Sequence, residues 1–209
     1  MKKITTVFLL VLSLAVFMAI AVSAETIEIS TPEQLMSVSG SDSYILTEDI
    51  DLSGVDFTPI GTEDAPFSGG FDGNNKTISG LAFDEAGEYI GLFGFCEDAT
   101  IKNVKIKDIV VDVSGVKNVE AYVAGICAYA KGNCKFENCT VSGSINVEGS
   151  DCDIYAAGIC AHVQSGIKGT FTSFTSCVNN ASVNVETTGN SVQAHAAGIA
   201  AFGNFSDVI

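Results

Sequence analysis

The chain of 209 residues has no tryptophan and no arginine, and only two histidines and three prolines. Without arginine there is no bidentate fork for phosphate or carboxylate, so every basic group is a lysine point charge. Two histidines are too few for a zinc site of three or four converging nitrogen ligands. No two cysteines have C-x-x-C spacing, which removes the usual dithiol redox and zinc-knuckle patterns. Beyond Gly40 no stretch keeps a helical period, so an α-helical core is excluded.

The charge is lopsided. Against 25 Asp+Glu stand 10 Lys+Arg, a formal net charge of −15. That favours solubility and disfavours nucleic acid or an anionic membrane surface as partner. The chain opens with a basic pair, Lys2 and Lys3, then an apolar run from Val7 to Val22 and the small-residue site Val22-Ser23-Ala24. This reads as a signal peptide cleaved after Ala24, with an uncleaved anchor as the alternative. No cysteine follows the site, which argues against a lipoprotein. Nothing downstream is apolar enough to span a bilayer.

The body of the chain repeats. IGLFGF from Ile90, AGICAY from Ala124, AGICAH from Ala157 and AGIAAF from Ala197 align on Gly91, Gly125, Gly158 and Gly198. A second anchor follows each: IKNVKI from Ile101, FENCTV from Phe136, FTSCVN from Phe174 and FSDVI from Phe205. SINVE from Ser144 and SVNVE from Ser182 add a third, with VVDV from Val110 in the same place. The pieces are short, rich in β-branched and apolar residues, and bounded by Gly, Asn, Ser or Asp, which is strand and turn chemistry. In SINVE, Ile145 and Val147 share one face and Asn146 takes the other. Each unit of about 35 residues therefore holds about three strands, too few to bury an apolar face alone. Stacking such units gives a parallel β-solenoid; a propeller of similar repeat length needs four-stranded blades.

Residues 25–66 read as an N-terminal cap and first strands, and 67–209 as the rungs. Thr31-Pro32-Glu33-Gln34 fits a capping box with proline at the first helical position, so a short helix follows. SYILTEDIDL reads as a strand. In FSGGFDGNNKTISGL, from Phe67 to Leu81, Asp72-Gly73 and Asn74-Asn75 supply the turn. Phe67, Phe71, Ile78 and Leu81 are expected to face the core. The last unit stops at FSDVI, which reads as the front part of a longer polypeptide or a truncated gene product.

The run DIDLSG, FTPIG, PFSGGFDGNNKTISGL, YIGLFGF and IKNV resembles the N-terminal portion of GLUG-motif proteins. The motif's Gly-Leu-x-Gly stands at Gly91-Leu92-Phe93-Gly94, whereas Gly125-Ile126-Cys127-Ala128 and Gly158-Ile159-Cys160-Ala161 carry alanine at the second glycine. The resemblance implies an exported right-handed parallel β-helix of bacterial or archaeal origin, found in surface proteins, adhesins and accessory segments of secreted peptidases. It supplies no catalytic residue.

The chemistry-bearing residues read mostly as architecture. His162 aligns with Phe95, Tyr129 and Phe202, and His195 with Tyr122 and Tyr155, so both belong to aromatic stacks on different tracks. Cys127 aligns with Cys160, and Cys139 with Cys177, as ladders of free thiols. Cys134 and Cys152 lie in turns and are the better placed for a bridge or for solvent. The pairs Asp49/Asp51 and Asp151/Asp153 offer two carboxylates each, too few for calcium, and read as solvated surface. Asp72 reads as a turn residue. Sequons occur at Asn75, Asn138, Asn180 and Asn204, with Asn138 placed inside a strand. No catalytic, metal or cofactor residue and no cofactor is expected. The expectation is a non-catalytic secreted or cell-surface module for display, adhesion or ligand binding. Its partner would be a glycan or a surface protein. A carbohydrate-active β-helix enzyme is the alternative, and a peptidase stalk the third reading.

Overall fold

Alternating apolar residues, punctuated by Asn, Asp and Gly at fixed intervals, force the chain to turn every few residues while one face stays dry. The computed structural model describes residues 25–166 and 171–204 and shows the result. The expected signal segment and the final FSDVI lie outside the described residues.

Among the described residues four sheets form, and every pairing in them is parallel. The first holds Thr26–Ile29, Ser43–Leu46, Gly70–Asp72, Thr100–Lys102, Lys135–Glu137 and Ser173–Thr175. The second holds Ile50–Asp51, Thr77–Ser79, Lys105–Lys117, Thr140–Ser150 and Val178–Thr188, with Ala82–Phe83 paired to its third strand. The third holds Tyr89–Ile90, Ala121–Ala124, Ile154–Ala157 and Ala194–Ala197, and the fourth Phe93–Glu97, Cys127–Lys131, Cys160–Gln164 and Ala200–Asn204. The chain visits first, second, third and fourth sheets in turn and then returns one strand along, which is a parallel β-helix. Each full rung thus has four strands rather than three. The AGI segments are two strands, because the chain bends at Gly125-Ile126 and again at Gly158-Ile159.

Register places like over like. Tyr44, Phe71, Ile101, Phe136 and Phe174 form one inward track. Ile50, Ile78, Ile106 and Val141 form another. Phe67, Phe71, Ile78 and Leu81 are all buried, as are Ile145 and Val147. Burying each such side chain contributes about 1.5–3 kcal/mol.

Corners are turned by residues with positive φ. Asn103 and Asn138 adopt φ of 55° and 52°, and Asn74 and Asn75 take 48° and 59°. Asparagine tolerates this left-handed region because its short side chain bonds locally. Asn138 therefore sits at an exposed corner after Lys135–Glu137, not inside a strand. SYILTEDIDL is likewise two strands, Ser43–Leu46 and Ile50–Asp51, broken at the corner between the first and second sheets. The helix Pro32–Met36 is capped by the Thr31 hydroxyl, which accepts from the Gln34 N–H at 3.3 Å, and buries Leu35. The Gln34 side chain returns to the Ser30 N–H at 2.7 Å, one residue before the expected partner.

Candidate functional site

The glycine column explains why the AGI units recur. The Gly125 N–H donates to Gly158 O at 3.1 Å, and the Gly158 N–H to Gly198 O at 3.1 Å. A Cβ on Gly91, Gly125 or Gly158 would lie 2.7, 2.6 or 2.6 Å from the carbonyl oxygen of the next rung's corner. Only glycine lets the backbones approach that closely.

On either side of this column the third and fourth sheets send rings outward into one corner. Tyr89, Tyr122, Tyr155 and His195 stack along the third sheet, with centroids 5.6, 5.3 and 5.0 Å apart. Phe95, Tyr129, His162 and Phe202 stack along the fourth, at 4.8, 4.5 and 5.2 Å. The two stacks meet edge to face: Tyr122 lies 5.1 Å from Tyr129 and 5.2 Å from His162. Tyr122 and Tyr155, with Tyr89 and Tyr129 packed against them, join Ala124, Ala128 and Ala161 in a second apolar cluster, separate from the main core. Each such ring pair contributes about 0.5–1.5 kcal/mol beyond burial. Both histidines are where the alignment placed them. The meeting of the two tracks was not foreseen, although the spacing of seven residues in Tyr122/Tyr129, Tyr155/His162 and His195/Phe202 carries the signal.

The corner is a seam, not a binding floor. Ring faces cover one another, and Tyr122, Tyr155 and His162 keep only 6–7% exposure. Polar atoms finish their bonds at the rim. Tyr122 Oη donates to Glu120, and Tyr129 Oη donates to Gln164 Oε1 at 3.0 Å. Burial, then the Glu120 carboxylate, raises the Tyr122 phenol well above its ordinary range. Nδ1 of His162 is buried with no hydrogen-bond partner. Burial lowers the pKa of this imidazole, against an opposing pull from Glu120.

The acidic pairs hold corners. Asp49 Oδ1 accepts the Thr77 N–H at 2.8 Å, and Asp153 Oδ1 accepts the Gln193 N–H at 2.7 Å, each from the next rung. Asp51 accepts from the N–H and hydroxyl of Ser53. Asp49, Asp51 and Asp151 are exposed and Asp153 is half-buried, as the surface reading expects, and Asp49, Asp51 and Asp153 also accept backbone N–H groups. Asp72 begins a ladder of amides: its Oδ1 accepts from the Asn74 N–H at 2.8 Å and Asn103 Nδ2 at 2.9 Å. Asn103 Oδ1 then accepts from Asn138 Nδ2 at 2.9 Å. Lys102 Nζ adds an ion pair at 3.3 Å. Partial burial opposes ionisation of Asp72, but these bonds outweigh it and hold the carboxyl below the usual range. Among the described residues no group of three or more His, Cys, Asp or Glu is arranged to hold a metal ion.

All seven cysteines are free. Cys127 pairs with Cys160 across rungs, and Cys139 and Cys177 immediately precede the paired Thr140 and Val178. Cys134 and Cys152 are buried and unbridged, contrary to their expected exposure or pairing. Their thiols donate to Lys131 O at 3.3 Å and Val116 O at 3.4 Å. Burial pushes Cys134 up to about 12. Cys177 is the partly exposed member, and the neighbouring Cys139 thiol lowers its pKa while that of Cys139 is raised.

One open depression of about 480 Å³ lies below the edge strand Tyr89–Ile90, and most of its lining falls outside the aligned repeats. Asp56, Asp84 and Glu85 bring carboxylates to it, and Phe57, Phe83 and Tyr89 bring rings. The sequence signal is a shortened span. Twelve positions separate Ile78 from Ile90, where 17 separate their partners Ile106 and Val123.

No family model matches the chain. Over 123 residues, 52% of this chain, it is 33% identical to Halomucin of Haloquadratum walsbyi. The chain spans about 1% of that protein's length. Among solved structures, one from Bacteroides ovatus described as a candidate immunoglobulin A1 protease aligns with a TM-score of 0.34 and 16% identity. That alignment covers 79% of this chain and 84% of the other, and at that score it carries no argument.

Proposed function

We propose that this chain is a non-catalytic, secreted or cell-surface β-helix module whose lateral wall serves display, adhesion or ligand binding, and that it is a GLUG-type protein. The observation that supports this most is where the reactive groups go. Both histidines lie in ring stacks, and the corner carboxylates Asp49 and Asp153 accept backbone N–H groups of the following rung. Polar side chains committed to holding the coil are not free for acid–base work, and the long outer wall of stacked strands is the surface that repeat folds use for recognition. Similarity to a short segment of Halomucin accords with a module carried in a very long protein. A binding screen of the full chain against glycans and host surface proteins tests the reading. Saturable binding with the ligand recovered intact supports it, and clean turnover of a polysaccharide overturns it.

A carbohydrate-active enzyme is the second reading, because Asp56, Asp84 and Glu85 line one depression. Two positioned carboxylates suffice for glycoside hydrolysis. Turnover abolished by Asp84→Asn or Glu85→Gln would establish it.

A further inference from the structure

We infer that the depression below Tyr89–Ile90 is a saccharide site, selective for sugars that carry amino groups and against acidic ones. This deepens the binding-module reading and rests on it. The depression is built by a missing piece of rung. From Asp51 the chain reaches Ile60, which bridges to Phe93 of the fourth sheet, without placing a strand on the third. One rung later, residues 84–88 cut the path from the second sheet to the third. The next rung restores the full strand Lys105–Lys117. A notch of about 480 Å³ is left in the wall, within the range of roughly 300–1,000 Å³ typical of small-ligand sites.

Its chemistry is one-sided. Phe57 packs edge to face on Phe83 at 6.4 Å, giving an apolar base, and Tyr89 supplies a half-buried ring beside them. Burial, then the neighbouring Glu88, raises the Tyr89 phenol above its ordinary range. Asp56, Asp84 and Glu85 stand exposed around this base, and among the described residues no lysine lines it. A ligand that fits must therefore bring several hydrogen-bond donors spread over one face, and an apolar face for the rings. A pyranose does both, with hydroxyls at its edge and C–H groups on its flat side. An amino substituent adds a charge that three carboxylates attract, while a uronate meets like charge and no compensating cation. A single lysine side chain would satisfy one carboxylate and leave the others to water.

The test is titration calorimetry on the full chain with four probes: a glucosamine tetramer, its N-acetylated form, tetragalacturonate and a lysine tetrapeptide. The glucosamine tetramer should bind tightest and the N-acetylated form more weakly. Tetragalacturonate should not bind. Asp84→Asn and Glu85→Gln should each weaken the glucosamine tetramer roughly tenfold or more, the scale of losing a charge-assisted hydrogen bond. Tetragalacturonate binding as well as the amino sugar, or the lysine peptide binding as well, overturns the proposal. If the amino sugar binds but neither variant weakens it, the notch is wrong while the binding-module reading stands. If the tetramer is cleaved and the variants stop cleavage, the notch is right as a saccharide site and the non-catalytic reading falls.

Discussion

Replacing Gly125 by alanine tests the stacking of the rungs with an internal control. The new Cβ would sit 2.6 Å from Gly158 O and 2.6 Å from Val141 Cγ1. The oxygen belongs to a backbone fixed by hydrogen bonds on both sides, so no rotamer change relieves the contact. Overpacking of this kind costs about 1–3 kcal/mol or more. Against it stands a gain of about 0.4–1 kcal/mol from the stiffer unfolded chain. The net expectation is a loss of about 1–2 kcal/mol. For a domain of this size that lowers Tm by about 2–8 °C. Gly198→Ala occupies the equivalent place two rungs on, where the nearest atom to the new Cβ is Asn179 Nδ2 at 4.0 Å. It should leave Tm unchanged or raise it slightly. Thermal melts of both variants by circular dichroism give the comparison. Equal Tm values for Gly125→Ala and Gly198→Ala would refute the claim that the column exists to let backbones touch.

Three further outcomes are expected. The folded-state pKa of His162 lies below its unfolded value of about 6.5, so the fold favours the neutral ring. Stability from this group is present above about pH 6.5 and is lost as pH falls through the lowered folded value. Urea melts at pH 7.5 and 5 should therefore show a smaller loss for His162→Phe than for the parent; equal losses contradict it. Asp72→Ala removes the acceptor of two hydrogen bonds and an ion pair and should cost about 2 kcal/mol. Asp72→Asn, which keeps an acceptor, should cost less, and matching urea midpoints for the two would count against the ladder. Thiol labelling near pH 7 should modify about one cysteine per native chain rapidly, Cys177, because it alone of the seven is not buried. Rapid labelling of Cys134 or Cys152 would show those corners open.

Much of the fold was legible because stacking turns a spatial neighbour into a sequence repeat. Gly91, Gly125 and Gly158 announce the close approach, and Phe95, Tyr129, His162 and Phe202 announce a shared track before any coordinate is seen. What stayed hidden lies where the repeat gives no information. The fourth strand per rung was missed because the bend inside AYVAGICAYA needs no break in apolar character. Asn138 was read into a strand because its neighbours Phe136 and Cys139 are apolar, yet the left-handed corner is the stronger local preference of asparagine. Cys134 and Cys152 sit near turns in sequence, but their side chains point inward, which periodicity around a corner does not reveal. The notch was invisible for another reason: Asp56, Phe57, Asp84 and Glu85 lie in the irregular first turns, which have no aligned partners.

The central claim is that the coil binds through its wall without chemistry. Its most direct test is to incubate the full chain with the glucosamine tetramer at saturating concentration and follow the sugar by proton NMR for a day. The account predicts line broadening of the bound tetramer and full recovery of intact sugar. New reducing-end signals that grow with time, in step with protein concentration, would contradict it.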